Sequence, residues 1–249
     1  MTTSVDPVVV IPCFNEEERL DFARLAELCS TPMRVLFVDD GSSDGTAALI
    51  EKHAAREPRI ELLILDHNVG KAEAVRVGML QAVGSGAPIV GYLDADLATP
   101  PNEYIRLVNA LREDPQLHGA IGSRVSLLGT DIHRSPARHY LGRMFATAAS
   151  LVVGANVYDT QCGAKAFRAT EWFADALAEP FTSRWAFDIE LLKRLLSSGP
   201  AACPIREVPL GAWQDVGGSK LTRSSMLGAG RDLVRLAEIP RRISSALRS

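Results

Sequence analysis

Two aspartates, Asp94 and Asp96, flank a small residue directly after the apolar run Ile89-Val90-Gly91-Tyr92-Leu93. Side chains along an extended chain repeat every second position, so both carboxylates leave a strand end on the same side. An oxygen-only pair suits a hard divalent cation, magnesium or manganese, which in turn clamps a diphosphate. Aspartate is also favoured at strand ends for its local backbone hydrogen bonds, so this pair alone decides little. A second acidic pair, Asp39-Asp40, closes Val35-Leu36-Phe37-Val38 and opens Gly41-Ser42-Ser43-Asp44-Gly45-Thr46. A helix N-cap accounts for Ser43 or Asp44. It does not account for the acidic pair, which sits where a ribose or base can be hydrogen-bonded, next to glycines that permit close backbone approach.

The elements that must position these groups alternate. Short β-branched runs begin at Val8, Val35, Ile60 and Ile89, and segments with helical spacing of apolar residues follow at Glu16–Leu28, Thr46–Ala55 and Lys71–Val83. Runs apolar on every position read as strands buried on both faces. The alternation predicts right-handed βαβ crossovers, hence a single α/β domain with a Rossmann-like, mostly parallel central sheet flanked by helices. Ligands of such sheets bind beyond the carboxyl ends of the strands, where all the polar clusters fall. Further on, helices are expected at Asn102–Glu113, Ala137–Val153, Phe173–Leu177, Phe187–Leu196 and Ser224–Ala237, and strands at Gly119–Arg124 and Ile205–Leu210. A polar loop is expected from Val125 to Pro136.

Bulk properties narrow the classes. The chain has 249 residues, 47% of them hydrophobic and 23% charged, with a net charge of −3. That is an ordinary globular balance, without the field that attracts nucleic acid. Cys13, Cys29, Cys162 and Cys203 lack metal-binding or disulfide-framework spacing and read as buried free thiols of a reducing cytoplasm. No run reaches the roughly 20 apolar residues of a membrane span, and the N-terminal segment does not read as a signal peptide.

The chain resembles glycosyltransferase family 2, of GT-A fold. The resemblance is carried in order by Ile11-Pro12-Cys13-Phe14-Asn15-Glu16, Val38–Thr46, Asn68-Val69-Gly70-Lys71, Leu93-Asp94-Ala95-Asp96-Leu97, Gly122-Ser123-Arg124, Asp159–Arg168, Trp185–Leu192 and Gly218-Ser219-Lys220-Leu221. Within the family it is similar to the polyprenyl-phosphate branch, the dolichyl-phosphate glucose and mannose synthases and their bacterial relatives. The resemblance implies that Pro12, Asn15, Glu16, Asp39 and Asp40 form the nucleotide-binding wall and that Lys71 lies near the diphosphate. It implies that Asp94 and Asp96 hold the metal, with Ala95 between them against the donor. Arg124 and Arg138 fall where the family places basic groups near the acceptor phosphate or the sugar diphosphate. Gln161 begins the stretch that closes the sugar pocket, Asp188 belongs to the catalytic set, and Lys220 lies in a lid segment. Mannose-type members commonly carry Gln two residues beyond the second Asp, where this chain has Ala98. That departure favours UDP-glucose over GDP-mannose as donor.

A phosphate acceptor is already a nucleophilic anion, so its problem is repulsion by the donor, which Arg124 and Arg138 would offset. A hydroxyl acceptor would instead need a carboxylate base, for which Asp159 and Asp188 are the candidates. A noncatalytic nucleotide-sugar sensor would have lost the metal pair or the lid segment, and both are intact. The domain expectation is a GT-A unit over residues 1–221 and a basic tail over 222–249. From Ser219 onward seven basic residues stand against two acidic ones, with apolar side chains at helical spacing. Such a helix lies on an anionic membrane surface, or else packs on its own domain or a membrane subunit. The expected location is cytoplasmic, either free or peripheral on the cytoplasmic face of a membrane.

Overall fold

The computed structural model describes residues 6–133, 146–198, 204–215 and 232–236. Seven strands form one sheet: β1 (Val8–Cys13), β2 (Arg34–Asp39), β3 (Ile60–Ile64), β4 (Ile89–Leu93), β5 (Gly119–Ser123), β7 (Ala164–Arg168) and β8 (Ile205–Pro209). Their order across the sheet is β3-β2-β1-β4-β7-β5-β8, and β6 (Asp131–His133) pairs separately with β9 (Ala212–Gln214). The first four strands in the order are parallel, as the alternation requires. The helices are α1 (Phe22–Cys29), α2 (Thr46–Ala54), α3 (Lys71–Gly84), α4 (Pro101–Glu113), α5 (helical residues 146–153), α6 (Glu171–Ala178) and α7 (Phe187–Ser198).

Period-2 alternation sorts the strand residues into two cores. Val8, Val10, Leu36 and Val38 face α3, α6 and α7, while Val9, Ile11, Val35 and Phe37 face α1 and α4. Gly78 brings α3 onto the sheet: a Cβ there would lie 2.6 Å from Val10 and 2.7 Å from Val38. The result is a three-layer sandwich whose parallel strands all end on one rim.

Three differences from the sequence expectations have physical causes. Strand β7, antiparallel between β4 and β5, is absent from those expectations. Its sequence Ala-Lys-Ala-Phe-Arg has low β-propensity, and its buried lysine imitates a surface residue. The first helix starts at Phe22, not Glu16, because Asp21 caps it by accepting from the Arg24 N–H. Residues before it are held in a turn, with Asn15 at φ +54°. The polar loop after Arg124 contains β6, whose partner β9 is likewise too short to read.

Candidate active site

The carboxyl ends of β1 and β2 are stitched to each other. Asn15, left-handed at φ +54°, donates its backbone N–H to Ser42 Oγ and accepts the Ser43 N–H on its side chain. The Glu16 N–H donates to Thr46 Oγ1, and the Gly45 N–H to Glu17. Pro12 is buried within β1 below this stitch. Asp39 accepts from Ser42, backbone and hydroxyl. Asp40 accepts the N–H groups of Val69 and Gly70 at 2.7 and 2.9 Å, fixing the loop that leads into α3. Gly41 makes that loop possible: it has φ +66°, and a Cβ would lie 2.6 Å from the His67 carbonyl carbon.

Lys71, first residue of α3, reaches from that loop to Asp94, with Nζ 2.6 Å from Oδ1. The ammonium also lies 5.9 Å from the centre of the Phe187 ring. Enclosure opposes its charge, but Asp94 and then Asp188 outweigh that effect and hold Lys71 above the ordinary lysine range. Asp96 is raised by burial and then by Asp94 beside it, while its Oδ1 accepts the Ala98 N–H. Glu16 is raised by burial and, among other charges, by Asp96 and Asp94. Glu16, Asp94 and Asp96 therefore form one acidic rim, partly answered by Lys71, with Ala95 buried between the aspartates.

The antiparallel β7 supplies the floor. The pairing of β4 with β7 continues past Leu93, where the Asp94 N–H donates to the Gly163 carbonyl at 2.9 Å. A Cβ on Gly163 would lie 2.2 Å from Asp94 Oδ2, so the aspartate occupies space that only glycine leaves open. Gly163→Ala is therefore expected to push the Asp94 carboxylate aside. Turnover at the rim should fall about tenfold or more, as ångström-scale misplacement commonly costs, with a smaller relative effect on the unfolding midpoint. Steady-state kinetics beside a thermal melt would check this; unaltered kinetics would show that Asp94 has no defined position to lose.

Arg124, directly after β5, is bound bidentately by Asp159, with Nε and Nη2 at 2.6 and 2.7 Å from its oxygens. The guanidinium also faces the Trp213 ring at 5.4 Å. Although burial opposes both charges, Arg124 holds Asp159 down at about 2. Gln161 stands half-buried in the turn between Asp159 and β7. Arg138 and Lys220 lie outside the described residues. Asp188, second residue of α7, is buried against Lys165 and Tyr92, with Lys165 Nζ 2.7 Å from its Oδ1. Burial pushes Asp188 above the ordinary carboxylate range and Lys165 below the ordinary lysine range. Lys165, Tyr92 and Trp213 are site residues that sequence reasoning misses. A charged side chain inside a strand core is the available signal for Lys165.

The Glycosyl transferase family 2 model matches residues 8–171, which takes in β1 through β7 and nearly the whole rim. The chain belongs to glycosyltransferase family 2. Among its family 2 relatives, a dolichyl-phosphate beta-glucosyltransferase of Drosophila melanogaster is 37% identical over 92% of this chain and 74% of its own length. A second protein so named, from Trichomonas vaginalis, is 30% identical over 92% of this chain and 69% of itself. A polyprenol monophosphomannose synthase of Mycolicibacterium smegmatis is 29% identical over 88% and 82%. The fold matches a solved mannosyltransferase of Pyrobaculum calidifontis, in complex with GDP-Man and Mn2+, with a TM-score of 0.61 at 17% identity. That match covers 94% of this chain and 64% of the other. The GT-A expectation and the mostly parallel sheet are borne out.

Proposed function

We propose that this family 2 glycosyltransferase moves glucose from UDP-glucose to a polyprenyl phosphate, inverting the anomeric carbon to give a β-linked sugar phosphate. The observation that carries the reading is the similarity to dolichyl-phosphate beta-glucosyltransferases over 92% of the chain, at up to 37% identity. The site supports it. A hydroxyl acceptor would need a base, and Asp159, one of the two candidates, is clamped by Arg124 and held at about 2. A carboxylate that acidic is a poor proton acceptor.

The acidic rim fits a divalent ion. Asp94 raises the cost of charging Asp96, and the glycine at 163 leaves the Asp94 carboxylate its room against the turn before β7. Among the described residues no third His, Cys, Asp or Glu completes a protein-only metal cluster. Asp94 and Asp96 would thus hold magnesium or manganese, with donor oxygens and water supplying the rest of an oxygen shell. An ion held there would offset charge on the departing nucleoside diphosphate. Lys71 supplies a fixed cation on the same side, and the stitched β1 and β2 ends present the nucleotide wall. Arg124 uses Nε and Nη2 on Asp159, so its Nη1 edge is the one available to an acceptor phosphate, with Arg138 as its expected companion.

A membrane-bound acceptor raises the question of how the chain meets lipid. Among the described residues no helix is long and apolar enough to cross a membrane. Within the basic tail, Leu233 and Leu236 pack into the core against α7, and Ser183 Oγ donates to Asp232 at 2.6 Å. That stretch favours packing on its own domain over lying on lipid.

The test offers UDP-glucose and GDP-mannose, each with a polyprenyl phosphate in detergent and with magnesium or manganese. A glucosylated lipid phosphate detected by mass spectrometry from UDP-glucose, and little from GDP-mannose, is the expected result. Donor hydrolysis without lipid product would move the acceptor to a soluble hydroxyl compound.

A further inference from the structure

Directly beneath the acidic rim lies a buried polar knot that the proposed reaction does not use. Lys165 is fully buried, and its ammonium has three N–H bonds to satisfy. It finds three acceptors: the Cys162 carbonyl at 2.6 Å, Asp188 Oδ1 at 2.7 Å and the Tyr92 hydroxyl at 3.0 Å. The Tyr92 hydroxyl in turn donates to the same Asp188 oxygen. The strand register dictates this meeting. Tyr92 and Lys165 are opposite each other across β4 and β7, two residues before Asp94 and two after Gly163. The knot therefore joins three pieces of the site: the strand that ends in the rim, the turn whose Gly163 walls Asp94, and the first turn of α7.

We propose that Lys165 is a positioning residue that holds Asp188 as a structural counter-ion, so that Asp188 does not act as a base and the acceptor must arrive already ionised. The inference rests on the phosphate-acceptor reading above and deepens it. With Asp159 clamped by Arg124, Asp188 is the remaining carboxylate of the two that a neutral hydroxyl could have used. Its Oδ1 is engaged by both Lys165 and Tyr92, and Lys71 faces it from the start of α3. A base takes up a proton, and a proton on either oxygen would discharge the carboxylate. Here that would leave the buried Lys165 ammonium without its counter-charge, a heavier penalty than keeping the pair. Lys165 also pins the Cys162 carbonyl, and thereby the turn that sets the position of Asp94.

The experiment compares wild type, Asp188→Asn, Lys165→Met and the double variant in the full chain. The assay transfers glucose from UDP-glucose to a polyprenyl phosphate across a pH range of about 6 to 9, with thermal melts alongside. Lys165→Met should lower kcat about tenfold to a hundredfold, with a smaller effect on donor KM. Adding Asp188→Asn to it should recover activity, because removing both partners of a buried pair costs less than removing one. Asp188→Asn alone should keep the shape of the wild-type pH profile. If Asp188→Asn flattens the acid limb of kcat/KM and costs at least about a hundredfold, Asp188 is a base and the inference falls. That outcome needs only the near-isosteric variant, so it holds even where Lys165→Met does not fold. Wild type that glycosylates a neutral alcohol and not the lipid phosphate would instead sink the acceptor reading, and with it the claim that the acceptor must be ionised.

Discussion

Asp96→Ala is expected to lower sugar transfer about a thousandfold, the rate equivalent of about 4 kcal/mol, while leaving the fold as stable as before. Both halves follow from the rim. Asp96 is enclosed beside Asp94, with Glu16 adding a third negative charge nearby, and Lys71 answers the cluster at Asp94 rather than at Asp96. Deleting Asp96 therefore removes a carboxylate whose charge the fold does not favour. The structural loss is its hydrogen bond from the Ala98 N–H. Asp94→Ala would be less informative, because it also strips Lys71 of its ion pair. Transfer assays titrated with magnesium and manganese, beside thermal melts, check both halves. Wild-type rates for Asp96→Ala in the presence of chelator would remove the metal from the reaction. A collapse of stability in step with activity would make Asp96 a structural residue.

What can be read from sequence divides along a physical line. Local pattern suffices for the parallel half: β1, β2 and β4 are built on apolar runs, each is closed by a polar cluster, and register carries those clusters to one rim. The second half depends on pairing between distant segments. β7 runs antiparallel into the sheet on alanine, a lysine and a phenylalanine, packed where Gly91 and Gly119 offer no side chains to obstruct it. No periodicity marks such a strand. Likewise Asp159 and Arg124 each read as a solitary charge, although each is the other's partner across 35 residues. Asp40 reads as part of the nucleotide wall, yet both its oxygens hold the loop before α3. Acidic type and strand-end position predict where these carboxylates sit. Which of them remain available to a ligand depends on partners that only the fold brings close.

That dependence is sharpest at Asp159, whose replacement by asparagine should cost at least about 2 kcal/mol of stability at neutral pH. Arg124 donates to it from Nε, Nη2 and the backbone N–H, and both side chains are largely enclosed, 15% and 8% exposed. Asparagine keeps the shape but leaves a buried guanidinium without its counter-charge. The pH dependence gives an independent signature. The carboxyl is lowered from 3.8 to about 2 in the folded chain, so its contribution is complete above the unfolded value and drains away as pH falls toward the folded one. A shift of that size is worth about 2 kcal/mol. Denaturant unfolding should therefore show the wild type losing its advantage between about pH 4 and pH 2, with the two proteins converging at the acid end. Transfer should fall too, since Arg124 would no longer be held beside the Trp213 ring and the rim. An Asp159→Asn protein with wild-type stability, and with the wild-type slope in acid, would mean that the pair contributes nothing. Arg124 would then be held by its packing against Trp213 alone.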